Sequence, residues 1–153
     1  MNIGIILYSY SGNTLSVGER LKVELEKKGH EVHLERIRAV NEDPNNRVPV
    51  QLSNSPDLSQ YDEIILGAPV NAFSLNPIMK TYLLNQPSLE NKKISCFVTQ
   101  HFAKPWMGGN RAVKQISKLV YNKNGSVVRS DIINWSNVKR EEQISGLISR
   151  FSS

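Results

Sequence analysis

Six consecutive residues, Ser9-Tyr10-Ser11-Gly12-Asn13-Thr14, stand between an apolar run and the start of a helical pattern. A phosphate placed there would meet backbone amides, the positive end of a helix dipole and the hydroxyls of Ser9, Ser11 and Thr14. Gly12 lets the backbone approach such an anion closely. Ser and Thr equally favour ordinary helix caps, so this loop by itself leaves both readings open. Several other chemistries are excluded by missing residues. A nucleotide-hydrolysing loop needs Gly-x4-Gly-Lys-Ser/Thr and a dinucleotide site needs Gly-x-Gly-x-x-Gly; neither stands at this turn. A receiver-type phosphoacceptor would need acidic residues after the first strand and an Asp ending the third, where this chain has Tyr8-Ser9 and Gly67-Ala68. A low-molecular-weight phosphatase would carry its cysteine in the first loop. The one cysteine is Cys96, within Ile94-Ser95-Cys96-Phe97-Val98, and there it reads as a small buried hydrophobe. No spacing of Cys, His and carboxylates marks a metal site.

The elements that must position the loop follow from hydrophobic period. Ile3, Ile5, Ile6, Leu7 and Tyr8 form the near-continuous apolar run of a strand covered on both faces. Val17, Leu21 and Leu25 then recur at helical spacing before the stop signal Gly29. His30 to Ile37 is expected as an edge strand with one wet face. Asn41 to Gln60, rich in Asn, Pro, Ser and Asp, reads as a long connection and not as a full crossover helix. Tyr61 to Ala68 is the third strand, followed by a helix marked by Ile78, Met79, Tyr82 and Leu83. Lys93 to Thr99 is the fourth strand, and Ala112, Val113, Ile116, Leu119 and Val120 mark the next helix. Ser126 to Ile133 is the fifth strand. Ile144, Leu147, Ile148 and Phe151 close the chain with a helical stripe, for which Ser136 or Asn137 is the expected cap. Alternating strands and helices predict an α/β single domain over residues 1–153, a doubly wound five-stranded parallel sheet of order 2-1-3-4-5 with an irregular second crossover. Its ligand crevice lies at the switch point, so the loops after Tyr8, Ala68 and Thr99 matter most.

With that order and that first loop, the chain resembles the flavodoxin family, whose phosphate loop alternates Thr or Ser with small residues and ends in Gly-Asn-Thr or Gly-x-Thr. The resemblance spans nearly the whole chain, from Ile3 to the last helix. It implies a flavodoxin-like fold that holds flavin mononucleotide (FMN), with Ser9, Ser11, Asn13 and Thr14 and the amides from Tyr10 to Thr14, Gly12 included, on the phosphate. Tyr10 departs from the small residue common at its position. By the same resemblance, Pro69, Val70, Asn71, Ala72 and Phe73 would face the isoalloxazine ring, where Phe73 reads equally as an aromatic lying against the ring and as a simple packing anchor. Thr99, Gln100 and His101 would meet its pyrimidine half, and Phe102 or Trp106 would stack on its outer face. Gly108 and Gly109 suit a tight lead into the following helix. Positive charge from His101 and Lys104 near the ring would favour the anionic reduced flavin and raise its potential.

What the resemblance implies is an FMN-binding redox protein of the electron-transfer type. Its alternatives are an FMN-dependent NAD(P)H oxidoreductase and a cofactor-free interaction module using the basic face of Lys104, Arg111, Lys114 and Lys118. No side chain stands out as a catalytic acid or base. The 153 residues are 39% hydrophobic and 22% charged with a formal net charge of +5, a globular composition whose small basic excess favours an anionic cofactor or an acidic partner. The expected partner is therefore a redox protein, acidic by preference, or a small-molecule substrate, with the chain a monomer or homodimer. Nucleic acid is not expected, because no recognised motif accompanies the charge. Neither is a membrane, and the Met1 to Leu7 stretch lacks the basic region and small-residue cleavage site of a signal peptide, so a cytoplasmic location is expected.

Overall fold

The computed structural model describes residues 1–46, 48–104 and 106–153. The first strand, β1 (Asn2–Leu7), lies in the middle of a parallel sheet between β2 (Glu31–Arg36) and β5 (Glu63–Asn71). Beyond β5 follow β7 (Lys93–Gln100) and β8 (Val127–Asn134), giving the order β2-β1-β5-β7-β8, the 2-1-3-4-5 order expected from the alternation of elements. Successive side chains on β1 point to opposite faces. Ile3, Ile5 and Leu7 pack under helices α1 (Asn13–Lys27) and α4 (Arg140–Phe151), together with Val17, Leu21, Phe97 and Leu147. Ile6 and Tyr8 face α2 (Pro77–Leu84) and α3 (Gly109–Tyr121), together with Leu66, Met79, Cys96 and Ile116. Full burial of both faces is why this strand reads as continuously apolar.

Among the described residues the second crossover carries no helix. In its place the short strands β3 (Arg38–Ala39) and β4 (Leu52–Asn54) pair antiparallel. The Asn/Asp-rich stretch between them closes turns on its own side chains: Asn41 Oδ1 accepts from the Asp43 amide and Asp43 Oδ1 from the Asn45 amide, at 3.0 and 2.9 Å. Such local bonds compete with a helix ladder. Far from the loops that hold the site, buried Glu63 pairs with Arg129 at 3.0 Å and Lys93 at 3.8 Å, tying β5, β7 and β8 together.

Three boundaries differ from the sequence expectation. The third strand does not stop at Ala68. It continues to Asn71 because β6 (Ser74–Leu75) folds back and pairs with it. The fourth strand, expected to end at Thr99, runs one residue further to Gln100 as β7, and Thr99 pairs in register with both Pro69 and Ile133. The last helix has no side-chain cap from Ser136 or Asn137; it starts after Lys139. Asn137 instead accepts from the Lys139 amide at 2.8 Å, and Gln143 on α4 reaches back to the Asn134 amide at 2.8 Å. Among the described residues no helix is long and apolar enough to cross a membrane.

Two outcomes follow from this packing. A Cβ built on Gly67 falls 2.5 Å from the Phe97 ring, so Gly67→Ala is expected to destabilise the fold by about 1–3 kcal/mol, read as a lower urea midpoint. Burial pushes the Cys96 thiol up to about 12. It stays protonated and shielded at neutral pH, so a thiol reagent should label the native protein no faster than global unfolding allows.

Candidate functional site

At the carboxyl end of β1 the chain leaves the sheet and reaches α1 in five residues. Gly12 makes the turn at φ +97°, a conformation L side chains rarely adopt, and a Cβ there would meet nothing within 4 Å. Its glycine is required by the backbone, not by crowding. Among the described residues, the amides of Tyr10, Ser11, Gly12, Asn13 and Thr14 donate to no protein acceptor, whereas the Leu15 amide donates to Ser9 Oγ at 3.1 Å. The result is a run of open N–H groups on the positive end of a 15-residue helix. Ser9 is buried and Thr14 hydrogen-bonds the Thr99 hydroxyl at 2.8 Å. These two hydroxyls, read from the sequence as anion donors, hold the loop's shape and tie it to the end of β7. Arg36, which the sequence reading passed over, donates from Nη2 to the Ser9 carbonyl at 3.1 Å. It brings a cation under the loop from the neighbouring strand end. Its signal, an Arg closing β2 beside the end of β1, has meaning only once the strand order is known.

The second loop is a two-residue hairpin turn, Ala72-Phe73, with φ values of +48° and +62°. Paired positive φ is the geometry that matches the twist of a tight hairpin, and Asn-Gly is its usual sequence. Non-glycine residues here cost about 1–3 kcal/mol each. The strain is held by anchors on two helices. Asn76, the cap of α2, accepts from the Ile78 and Met79 amides and donates to Asn71 Oδ1 at 3.0 Å. Gln115 on α3 accepts from the Leu75 amide at 2.8 Å and from the Ser74 hydroxyl at 3.0 Å. Sequence reasoning missed both: Gln115 acts on partners 40 and 41 positions away, whereas Asn76, with partners two to five positions away and Pro77 after it, left a local cap signal that went unread. Gly108, at φ +120°, lets the start of α3 press on the hairpin, because a Cβ there would lie 2.8 Å from Phe73 Cα.

The third segment brings Thr99, Gln100 and His101 beside the first two. A groove of about 300 Å³ is lined by Tyr10, Ser11 and Asn13, by Pro69, Val70 and Asn71, and by Thr99, Gln100 and His101. Nine of the sequence-named residues therefore share one crevice at the switch point between β1 and β5. Gln100 is buried; its Nε2 donates to Asn134 Oδ1 and the Lys104 carbonyl, while its Oε1 has no partner among the described residues. Phe73 and Phe102 do not line the groove. Their rings stack on each other, centroids 5.2 Å apart and 5° from parallel, a spacing that leaves no room for a third ring between them. Trp106, read as a stacking candidate, stands 73% exposed outside the groove, and Lys104 is exposed beyond its lining.

Across Tyr10 and Asn71 lies a second cavity of about 170 Å³, which Ala72 lines together with Tyr8, Glu42 and Ile78. Burial, reinforced by the nearby Glu42 carboxylate, pushes the Tyr8 phenol up to about 12. Its proton is kept at neutral pH, so the hydroxyl remains a donor.

Sheet order, helix placement and crevice together define a flavodoxin-like fold. Among solved structures, the oxidised Flavodoxin 2 from Bacillus cereus matches with a TM-score of 0.71 at 22% identity, covering 99% of this chain and 98% of that one. The oxidised Flavodoxin 1 from the same organism matches with a TM-score of 0.68 at 18% identity, over 99% and 97% of the two chains. A flavoprotein from Lactobacillus acidophilus NCFM, solved in complex with FMN, matches with a TM-score of 0.60 at 20% identity, over 93% and 97%. No family model and no curated protein matched the sequence.

The hairpin anchors generate a paired test. Gln115→Ala strands the Leu75 amide and is expected to cost about 1–3 kcal/mol in chemical denaturation. Ala72→Gly relieves the left-handed strain and is expected to stabilise by about 1 kcal/mol.

Proposed function

We propose that this chain is an FMN-binding redox protein that passes electrons between other proteins. The observation that carries the reading is the run of open amides from Tyr10 to Thr14 at one end of a groove whose other walls are the two remaining switch-point loops. These amides, the dipole of α1 and the guanidinium of Arg36 fit a phosphate dianion. Half-buried Asn71 and exposed His101, both on the groove lining, fit the polar edge of a heteroaromatic ring. FMN also stands in the neighbouring flavoprotein of the same fold. When bound, flavin mononucleotide supplies one- and two-electron redox chemistry. The chain's own part is to fix the phosphate, present hydrogen-bond partners to the ring and shield it from water. His101 lines the groove and supplies a ring nitrogen there.

A second reading, reduction of a small molecule by the same cofactor, is favoured by the adjoining cavity with its protonated Tyr8. A substrate seated there would lie one residue away from the groove, across Tyr10 and Asn71.

Titration of the purified chain with FMN, followed by visible absorption and fluorescence quenching, tests the cofactor. Saturable quenching with a structured flavin band is expected. Riboflavin, which lacks the phosphate, should bind at least about tenfold more weakly. Gly12→Val, which forces a branched side chain into the φ +97° turn, should weaken FMN binding by about tenfold or more while far-UV circular dichroism stays native. Unchanged flavin fluorescence at micromolar protein would overturn the reading.

A further inference from the structure

We propose that the outer face of α3, continued by the loop before it, docks a small acidic electron-transfer protein; the inference rests on the redox reading above. Between positions 91 and 130 the chain contains eight Lys or Arg residues and no Asp or Glu, whereas the remainder holds eleven basic against fourteen acidic residues. The net positive charge is thus not spread over the molecule. Arg111, Lys114 and Lys118 are exposed on α3 at spacings of three and four, which puts them on one stripe. Among the described residues none of these three, nor Lys104, lies within ion-pair distance of a carboxylate, whereas Arg20, Lys22, Arg38, Lys93, Arg129 and Arg150 all do.

Aromatic side chains frame the stripe. Tyr121 is 75% exposed at one end and Trp106 73% exposed at the other. Aromatics and Arg are the residues enriched at the buried centre of protein interfaces. From Arg111 to Tyr121 the stripe spans about 15 Å, the scale of a protein contact patch. Its amino end is fixed against the hairpin by the close packing of Gly108 on Phe73, so the patch opens beside the rim of the groove. A partner held there by acidic side chains would face the bound cofactor. One electron then leaves the reduced partner's centre and is taken up in the groove, and any accompanying proton comes from solvent. The groove alongside α3, floored by Val113 and Ile132, offers the stripe an apolar margin. Its carboxylate, Asp131, is turned to Arg150 and does not cancel the field. Charge concentrated on one face steers an oppositely charged protein in orientation as well as rate.

The probe is an acidic [2Fe–2S] ferredoxin, with a basic cytochrome c as counter-probe, and the readout is the dissociation constant from NMR shift titration of the flavin-free chain and of the chain after FMN addition. Lys114→Glu and Lys118→Glu are each expected to weaken ferredoxin binding about fivefold or more, and raising salt from about 20 to about 200 mM should weaken it about tenfold. Lys27→Glu on α1, an equal change in net charge on the opposite face of the sheet, should leave it within about twofold. Shifts should cluster on residues 104–121. Equal loss in Lys27→Glu, equal affinity for the cytochrome, no binding at low salt, or stronger binding to anionic vesicles or single-stranded DNA would each overturn the docking surface. Because the titration also runs without flavin, docking by a chain that takes up no FMN would uphold the surface while sinking the redox reading.

Discussion

A strand paired in parallel on both sides must be re-entered from the same end each time, and here every return passes over one face of the sheet or the other. That constraint places the ends of β1, β5 and β7 at a single edge, with the crossovers from β1 and β5 leaving toward opposite faces. The crevice between them is a by-product of winding. The rest of the molecule either maintains this arrangement or exploits it. Continuous burial of β1 holds the centre, and the Glu63 cluster with Arg129 and Lys93 secures the far end.

At the edge itself, local chemistry and long-range anchoring divide the work. The first loop draws its donors locally, one glycine with positive φ and one helix terminus yielding five open amides, while Arg36 and Thr99 tie it from neighbouring strands. The hairpin is the reverse case. Its turn residues oppose the geometry they adopt, and the cost is met by Asn76 and Gln115 from two separate helices. A rigid first loop suits the fixed shape of a phosphate. A strained and externally braced second loop suits a place where backbone groups must be held in a set orientation toward a ring.

Charge is organised on a different scale. The basic block from 91 to 130 does not contribute to the groove's polar lining except through the main-chain path that it shares with Thr99, Gln100 and His101. Its side chains project outward from α3, while the same helix sends Gln115 inward to the hairpin. One element therefore couples the braced loop to the charged surface.

Much of this was legible before any coordinates. Hydrophobic period alone determined the strand and helix alternation, because burial on two faces and on one leaves different spacings in Ile3–Tyr8 and in Val17–Leu25. The Ser9–Thr14 loop was legible because anion binding by a helix terminus is a local property of consecutive residues. Tertiary structure decided everything that depends on residues far apart in the chain. The extension of the third strand to Asn71 required β6 to pair with it, the stacking of Phe73 on Phe102 required two loops to meet, and Arg36 reached Ser9 only because β2 lies beside β1. The same holds for Thr14, whose hydroxyl looked free in the sequence and hydrogen-bonds that of Thr99 across 85 positions. A side chain's type states what it is able to bond; only the packed chain determines which partner arrives first.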